Sequence, residues 1–265
     1  MAVIGAGPIG LEAALRAQQA GLDVVVFESG RVAESVRQWG HVRLFSPFGF
    51  NGSVRGATAV GAARLPDQDQ LQTGAEFVES YLEPLAAVVA AEATLHEQAR
   101  VVGVTRQATW KHHLVGQREQ ANDRFRLLIE KGTGEEAVDE ADVVLDCSGT
   151  WPHHRWIGTG GIPCPGERRL VPDDAYLLPD VLGTARPEYA GKHVLVVGSG
   201  YSAATSVVAL ARLAQTAPGT RVSWLTREAA DEPLVRIADD ILSFRDQLAV
   251  AANELARAEG SPVDW

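Results

Sequence analysis

The sequence predicts an α/β protein of three layers, built from two Rossmann-like units with a small β-meander inserted in the first. Two observations carry this expectation. A glycine-rich turn between an apolar strand and an amphipathic helix occurs twice, at residues 5–10 and 198–203, and each is followed by a second apolar strand. Between the two repeats lie three strand-like runs, His96–Arg106, Phe125–Glu130 and Val138–Asp146, which supply the meander.

The first repeat reads M-A-V-I-G-A-G-P-I-G-L-E-A-A-L. Met1 to Ile4 form a short buried strand. Gly5, Gly7 and Gly10 follow in G-x-G-x-x-G spacing, one for a tight turn, one for close approach of backbone to a pyrophosphate, one for helix–strand packing. Pro8 suits a first helical turn, where a missing N–H costs nothing. Ile9 completes the turn, and Leu11, Ala14 and Leu15 share one helical face. The free N–H groups of that helix start would receive a diphosphate. Gly21 ends the helix, and D-V-V-V-F-E-S-G supplies the second buried strand. Glu28 and Ser29 stand at its end, where a ribose-binding acid belongs. A carboxylate there accepts from both ribose hydroxyls and repels a 2′-phosphate, which favours FAD or NAD over NADP.

The second repeat reads H-V-L-V-V-G-S-G-Y-S-A-A. His193 to Val197 are the strand, Gly198, Ser199 and Gly200 the turn, and Ser202 and Ala203 open the helix, with Ala203 where a third glycine would be. Ala204, Val207, Val208 and Ala211 make the apolar face. In the next strand, R-V-S-W-L-T-R, Thr226 takes the place of the acid and Arg227 follows. A guanidinium favours a 2′-phosphate, hence NADPH; the alternative for Arg227 is an ordinary solvated charge. Two such sites with different sugar preferences point to electron transfer between cofactors, with the cofactors carrying the chemistry.

Composition narrows the partners. The chain has 265 residues, enough for one large or two modest domains, and 46% are hydrophobic. A net charge of −10 with dispersed basic residues argues against nucleic acid and against an electrostatic membrane anchor. No apolar run reaches the roughly 18 residues of a spanning helix, and no signal segment opens the chain, so the expected location is cytoplasmic. Cys147 and Cys164 do not form C-x-x-C, which disfavours a disulfide framework and a zinc site. The pairs His112/His113 and His153/His154 would point to opposite faces of a strand and make poor metal clips.

Residues 74–93 read as a helix with a kink at Pro84. The polar stretch 110–123 reads as a hairpin loop, V-V-L-D-C-S-G-T-W as a buried strand with a small-residue turn, and 151–190 as a connection rich in Pro and Gly. The segment Q-W-G-H-V-R-L-F-S-P-F-G-F-N leaves the second strand at the edge where ligands bind. It reads either as a cover for a flavin ring, with Trp39, His41 and Phe45 as walls, or as a loop packed for stability.

The motifs G-A-G-P-I-G with Glu28, D-C-S-G-T-W, and V-V-G-S-G-Y-S-A with Arg227 resemble the two-dinucleotide-binding-domain flavoproteins, in the branch of flavin-containing monooxygenases and thioredoxin-reductase-like enzymes. The resemblance implies FAD in the first unit and NADPH in the second. It also implies that Ser148 and Gly149 lie near FAD and that the backbone of Val101 meets its adenine. It gives a domain plan of 1–165 for FAD, 166–190 as connection and 191–265 for NADPH. Two departures matter. No C-x-x-C follows the second turn, which disfavours a thiol relay, and the F-x-G-x-x-x-H-x-x-x-W fingerprint of Baeyer–Villiger enzymes is not evident. The G-D segment with which such proteins return to the FAD domain is not found before Trp265, so a fragment with both domains incomplete is expected.

The leading expectation is hydride transfer from NADPH to flavin with monooxygenation of a small molecule. The alternatives are a flavin-dependent reductase or dehydrogenase without oxygen insertion, and a non-catalytic nucleotide-binding module. His41 is the one residue put forward as acid or base. A homodimer is left open.

Overall fold

The computed structural model describes residues 1–117, 120–151, 153–227 and 230–265. It divides into two compact units, Met1–His153 and His154–Trp265. The sequence places the connection at 166–190; the contacts divide instead at His153, so 154–190 folds with the second unit. Arg118 and Glu119, within the expected loop at 110–123, and Pro152, within the expected connection, lie outside the described residues.

The first unit opens with β1 (Ala2–Ile4), α1 (Pro8–Gln19) and β2 (Val25–Phe27). A run of short helices follows: α2 (Glu34–Gln38), α3 (Phe48–Asn51), α4 (Val54–Val60) and α5 (Gly74–Phe77). A π turn at Val78–Leu82 leads from α5 into α6 (Glu83–Ala90). Pro84 has no N–H to give the carbonyl one turn earlier, and the helix widens into the π turn immediately ahead of it.

β3 (Thr94–His96), β2, β1 and β7 (Val144–Asp146) lie side by side in that order, all parallel. β4 (Ala99–Arg106), β5 (Phe125–Lys131) and β6 (Glu136–Ala141) form an antiparallel sheet. Two expected strands are thereby each divided between sheets. The run His96–Arg106 breaks where Gln98 adopts a positive φ of 52°, and the run Val138–Asp146 breaks after Ala141. β7 is also not the buried strand expected: it lies at the sheet edge, and Leu145 and Asp146 are exposed.

The core is layered. Leu11, Ala14 and Leu15 of α1 pack with Val3, Val26, Leu82, Leu85 and Val89 on one face of the parallel sheet. On the other, Ala2 and Phe27 meet Ala99, Leu127, Ile129 and Ala141 of the antiparallel sheet. Asp123 closes the polar connection between β4 and β5. It accepts from Thr109 Oγ1 at 2.6 Å and from the amides of Ala108 and Thr109, which hold its carboxyl near 2.

In the second unit, α7 (Glu167–Leu170) and α8 (Arg186–Tyr189) precede β8 (His193–Val197), α9 (Tyr201–Thr216), β9 (Arg221–Leu225), α10 (Ser243–Arg257) and β10 (Val263–Asp264). The parallel sheet runs β10-β9-β8. Val207, Leu210, Ala211 and Leu213 of α9 are buried with Val222, Trp224, Ala249 and Ala252. The segment expected as plain connection is organised by buried Glu167, which accepts from the amides of Ile157 (2.9 Å) and Cys164 (2.6 Å) and from the Tyr176 hydroxyl (2.5 Å). Among the described residues no helix is long and apolar enough to cross a membrane, and no three His, Cys, Asp or Glu side chains gather as a metal site.

Candidate functional site

The first glycine turn leaves β1 at the point where the sheet order reverses between β1 and β7, the crevice where open parallel sheets take ligands. Gly5 has φ +98°, and a Cβ there would stand 2.6 Å from the carbonyl oxygen of Cys147. Gly10 lies against the backbone of Gly5, so a side chain would overlap the Gly5 carbonyl. Gly7, the N-cap of α1, has nothing within 4 Å of its missing Cβ. No side chain caps the helix. The open side of the turn is therefore bare backbone, with the N–H groups of the first helical turn lacking intrahelical acceptors.

Glu28 faces this turn and is 7% exposed. One carboxylate oxygen accepts the Ala6 N–H at 2.7 Å; the other accepts the Gly30 N–H at 2.9 Å and the Ser29 hydroxyl at 3.2 Å. A carboxylate offers about four acceptor positions. Three are used within the protein, which leaves about one for a ribose hydroxyl where two were expected. The Glu28 carbonyl also accepts the amide of Ala99 at 2.8 Å, and this brings the start of β4 alongside.

These elements enclose one cavity of about 730 Å³. Gly5, Gly7, Pro8 and Ile9 line it from the turn, Glu28 and Ser29 from the end of β2, Val101 from β4, and Ser148 and Gly149 from the segment after β7. Gly10 sits beneath the turn. The β4–β5 register shifts just after Val101, so the backbone is irregular where it borders the cavity. Asp146 accepts the Ser148 hydroxyl at 2.6 Å and the Ser148 amide at 3.0 Å, and these bonds hold its carboxyl below the usual range.

Of the three aromatic wall residues proposed from the loop, Trp39 lines the cavity; His41 and Phe45 are not among its lining residues. His41 is exposed. Gln38, Arg100, Cys147, Trp151 and His153 also line the cavity, a place the sequence does not assign to them. Trp151 stacks on Trp39 with centroids 5.6 Å apart and donates its indole N–H to Gln38 Oε1 at 3.1 Å. Arg100, beside Val101 on an expected strand, was within reach of sequence reasoning. The pairing of Trp151 with Trp39 was not, because it joins segments more than 100 residues apart. Burial, with Asp146 adding to it, pushes the Cys147 thiol up.

In the second unit, Gly198 has φ +127°, its amide donates to Leu225 O at 2.9 Å, and its carbonyl accepts the Trp224 indole N–H at 2.7 Å. Ala203 replaces a third glycine without crowding, since a Cβ on Gly198 would lie 4.0 Å from that of Ala203. Gly200 is the N-cap of α9, with no side-chain cap and nothing within 4 Å of its missing Cβ. Ser199 and Ser202 are exposed at the same turn. Thr226 and Arg227 follow β9. Arg227 is exposed and has no ion-pair partner among the described residues. Both turns thus fit a dinucleotide diphosphate: each offers an uncapped helix start with its central glycine open.

Residues 2–121 match the family model described as pyridine nucleotide-disulphide oxidoreductase. No curated protein matches the sequence. Among solved structures of similar fold is a bacillithiol disulfide reductase (YpdA) from Bacillus cereus, 16% identical, with a TM-score of 0.67 over 99% of this chain and 65% of that one. Another is an S-allyl-L-cysteine S-oxygenase from Allium sativum, 17% identical, TM-score 0.60, over 91% of this chain and 54% of that one. A third is OTEMO in complex with FAD and NADP, 16% identical, TM-score 0.54, over 97% of this chain and 45% of that one. The chain spans less than two thirds of the length of each of these three, and the likeness is one of fold.

Proposed function

We propose, for a chain that fits the flavoprotein pyridine nucleotide oxidoreductases, that its first unit holds FAD, its second holds NADPH, and the two serve to oxygenate a small molecule. The observation that carries this reading is the pair of turns. Each leaves its central glycine open, and a carboxylate, Glu28, stands at one while a guanidinium, Arg227, follows the strand beside the other. FAD, when bound, supplies a ring that accepts hydride from a nicotinamide.

The chain's own residues bind and orient. The N–H groups of Ile9 and Gly10 receive a diphosphate, favoured by the helix dipole. Glu28 holds the turn through Ala6 and takes a ribose hydroxyl, while the Val101 backbone borders the adenine. Ser148 and Gly149 close the opposite wall, and Trp39, backed by Trp151, shields the cavity from water. In the second unit the amides behind Gly200 take the other diphosphate and Arg227 takes the 2′-phosphate. In this reading oxygen is the electron acceptor, and neither of the chain's two free cysteines, Cys147 and Cys164, takes a part in the transfer.

The test is spectroscopic and isotopic. Purified protein reconstituted with FAD is expected to turn yellow and to be bleached faster by NADPH than by NADH. Labelled dioxygen entering an organic product supports oxygenation. NADPH consumption with no label in any organic product means that the same two sites serve a reductase. Failure to retain FAD overturns the reading of the first unit.

A further inference from the structure

Trp265 occupies an unusual place. β8, β9 and β10 are parallel, so their carboxyl ends lie on one edge of the sheet. Along that edge stand the Gly198–Gly200 turn after β8, Thr226–Arg227 after β9, and Trp265 after β10. The Trp265 indole N–H donates to Thr226 Oγ1 at 2.9 Å, which fixes the ring beside the residue that precedes Arg227. The ring nevertheless remains part of the surface, the residue being 38% exposed. Trp224, by contrast, is 2% exposed and packs in the core.

We propose that Trp265 is the base-stacking residue of the second nucleotide site and that it takes the adenine of a 2′-phosphorylated nucleotide. The inference rests on the reading of that site given above. A dinucleotide whose diphosphate sits at the β8 turn and whose ribose meets Thr226–Arg227 carries its base onward, toward β10. An aromatic face held there by a hydrogen bond loses little freedom when a base stacks on it. The structure thus divides labour at the edge: Arg227 selects the phosphate, and Trp265 holds the base whatever the sugar carries.

The experiment uses the whole chain and two probes, 2′-phospho-AMP and AMP, with binding followed by calorimetry and by tryptophan fluorescence. Trp265→Ala is expected to weaken both probes by the same factor, at least about fivefold. Trp265→Phe, which keeps a ring but loses the bond to Thr226, is expected to stay within about twofold of the parent, as stacking requires. Arg227→Ala should weaken 2′-phospho-AMP alone. Unchanged affinity in Trp265→Ala, or equal weakening in the Phe and Ala variants, overturns the stacking role. If Trp265→Ala does not fold, quenching decides: saturating probe should dim the parent more than Trp265→Phe, and equal dimming rejects the proposal. Absence of binding to the parent protein overturns the second nucleotide site itself, and this inference with it.

Discussion

The α-carbon of Gly10 lies against the carbonyl oxygen of Gly5, so closely that a methyl group on it would overlap that oxygen. Two residues further up the turn, Gly7 meets nothing within 4 Å. Neighbouring glycines of one motif are therefore held for opposite reasons, one by the protein's own backbone and the other by open space.

Gly10→Ala is expected to destabilise the first unit by roughly 1–3 kcal/mol, the range for overpacking, although alanine is by itself the better helix former. Gly7→Ala should leave the unfolding midpoint almost unchanged and weaken ADP and FAD instead, because the methyl occupies the approach to the helix-start amides. Urea unfolding without nucleotide, set beside calorimetric titration with ADP, separates the two. Equal behaviour of the two variants in both assays would contradict the division.

Glu28→Gln tests the carboxylate that accepts three donors. A glutamine has one acceptor oxygen, and its NH₂ group must face either Ala6 N–H or Gly30 N–H. A buried donor is then left unpaired, at a cost of about 1–3 kcal/mol. The loss is expected in the nucleotide-free protein as well as in the complex. Stability equal to the parent without ligand would mean that Glu28 does not hold the turn.

With Arg227 holding the 2′-phosphate as proposed, Arg227→Ala would remove a charge-assisted bond worth roughly 1.5–3 kcal/mol. The expected result is a KM for NADPH raised by about tenfold to about a hundredfold, with the KM for NADH little changed. Steady-state rates with both nucleotides check this. A parallel rise for NADH would assign Arg227 to the fold instead.

How much of this was legible in the sequence follows from the range of the interactions. The G-x-G-x-x-G spacing and the acid after the second strand are local signals, and the turn at Gly5 and the placement of Glu28 could be read from them. The apolar faces of α1 and α9 were legible for the same reason, since helical period is local. What escaped depends on distant partners or on a single dihedral. Gln98 divides one expected strand between two sheets by a positive φ that no glycine announces. Glu167 organises 157–176 through hydrogen bonds that leave no periodicity. Trp39 reaches the cavity while His41 and Phe45 are absent from its lining, because an irregular loop has no period from which to tell inward from outward.

The two thiols should differ in reactivity. Cys164 is exposed, whereas Cys147 is half-buried in the cavity wall with its thiol pushed up by burial and by Asp146. Alkylation requires the thiolate. At pH 7.5, a value chosen to lie below the ordinary thiol range of about 8.5, iodoacetamide is expected to label Cys164 well before Cys147. Peptide mass mapping over time reads the order. Bound ADP or FAD should slow Cys147 further by covering the wall, and faster labelling of Cys147 would contradict its burial.

The last expectation concerns Tyr81, which sits in the π turn, 1% exposed, and donates its hydroxyl to the Glu12 carboxylate on α1. Glu12 also accepts the Ser53 hydroxyl at 2.6 Å, and the Tyr81 hydroxyl accepts the Ser53 amide at 3.2 Å, so three segments close into one ring of bonds. Burial first, and then the bond to Glu12, push the Tyr81 phenol up to about 12. The folded protein therefore binds this proton more tightly than the unfolded chain, whose tyrosines ionise near 10. The stabilisation is complete below pH 10 and falls away as pH rises through about 12. Tyr81→Phe removes a bond to a charged acceptor and should cost about 1.5–3 kcal/mol at neutral pH. It should also lack the alkaline loss specific to Tyr81, so the two urea-unfolding curves converge between pH 10 and the folded value. Curves that stay parallel across that window would show that the proton on Tyr81 is not linked to folding.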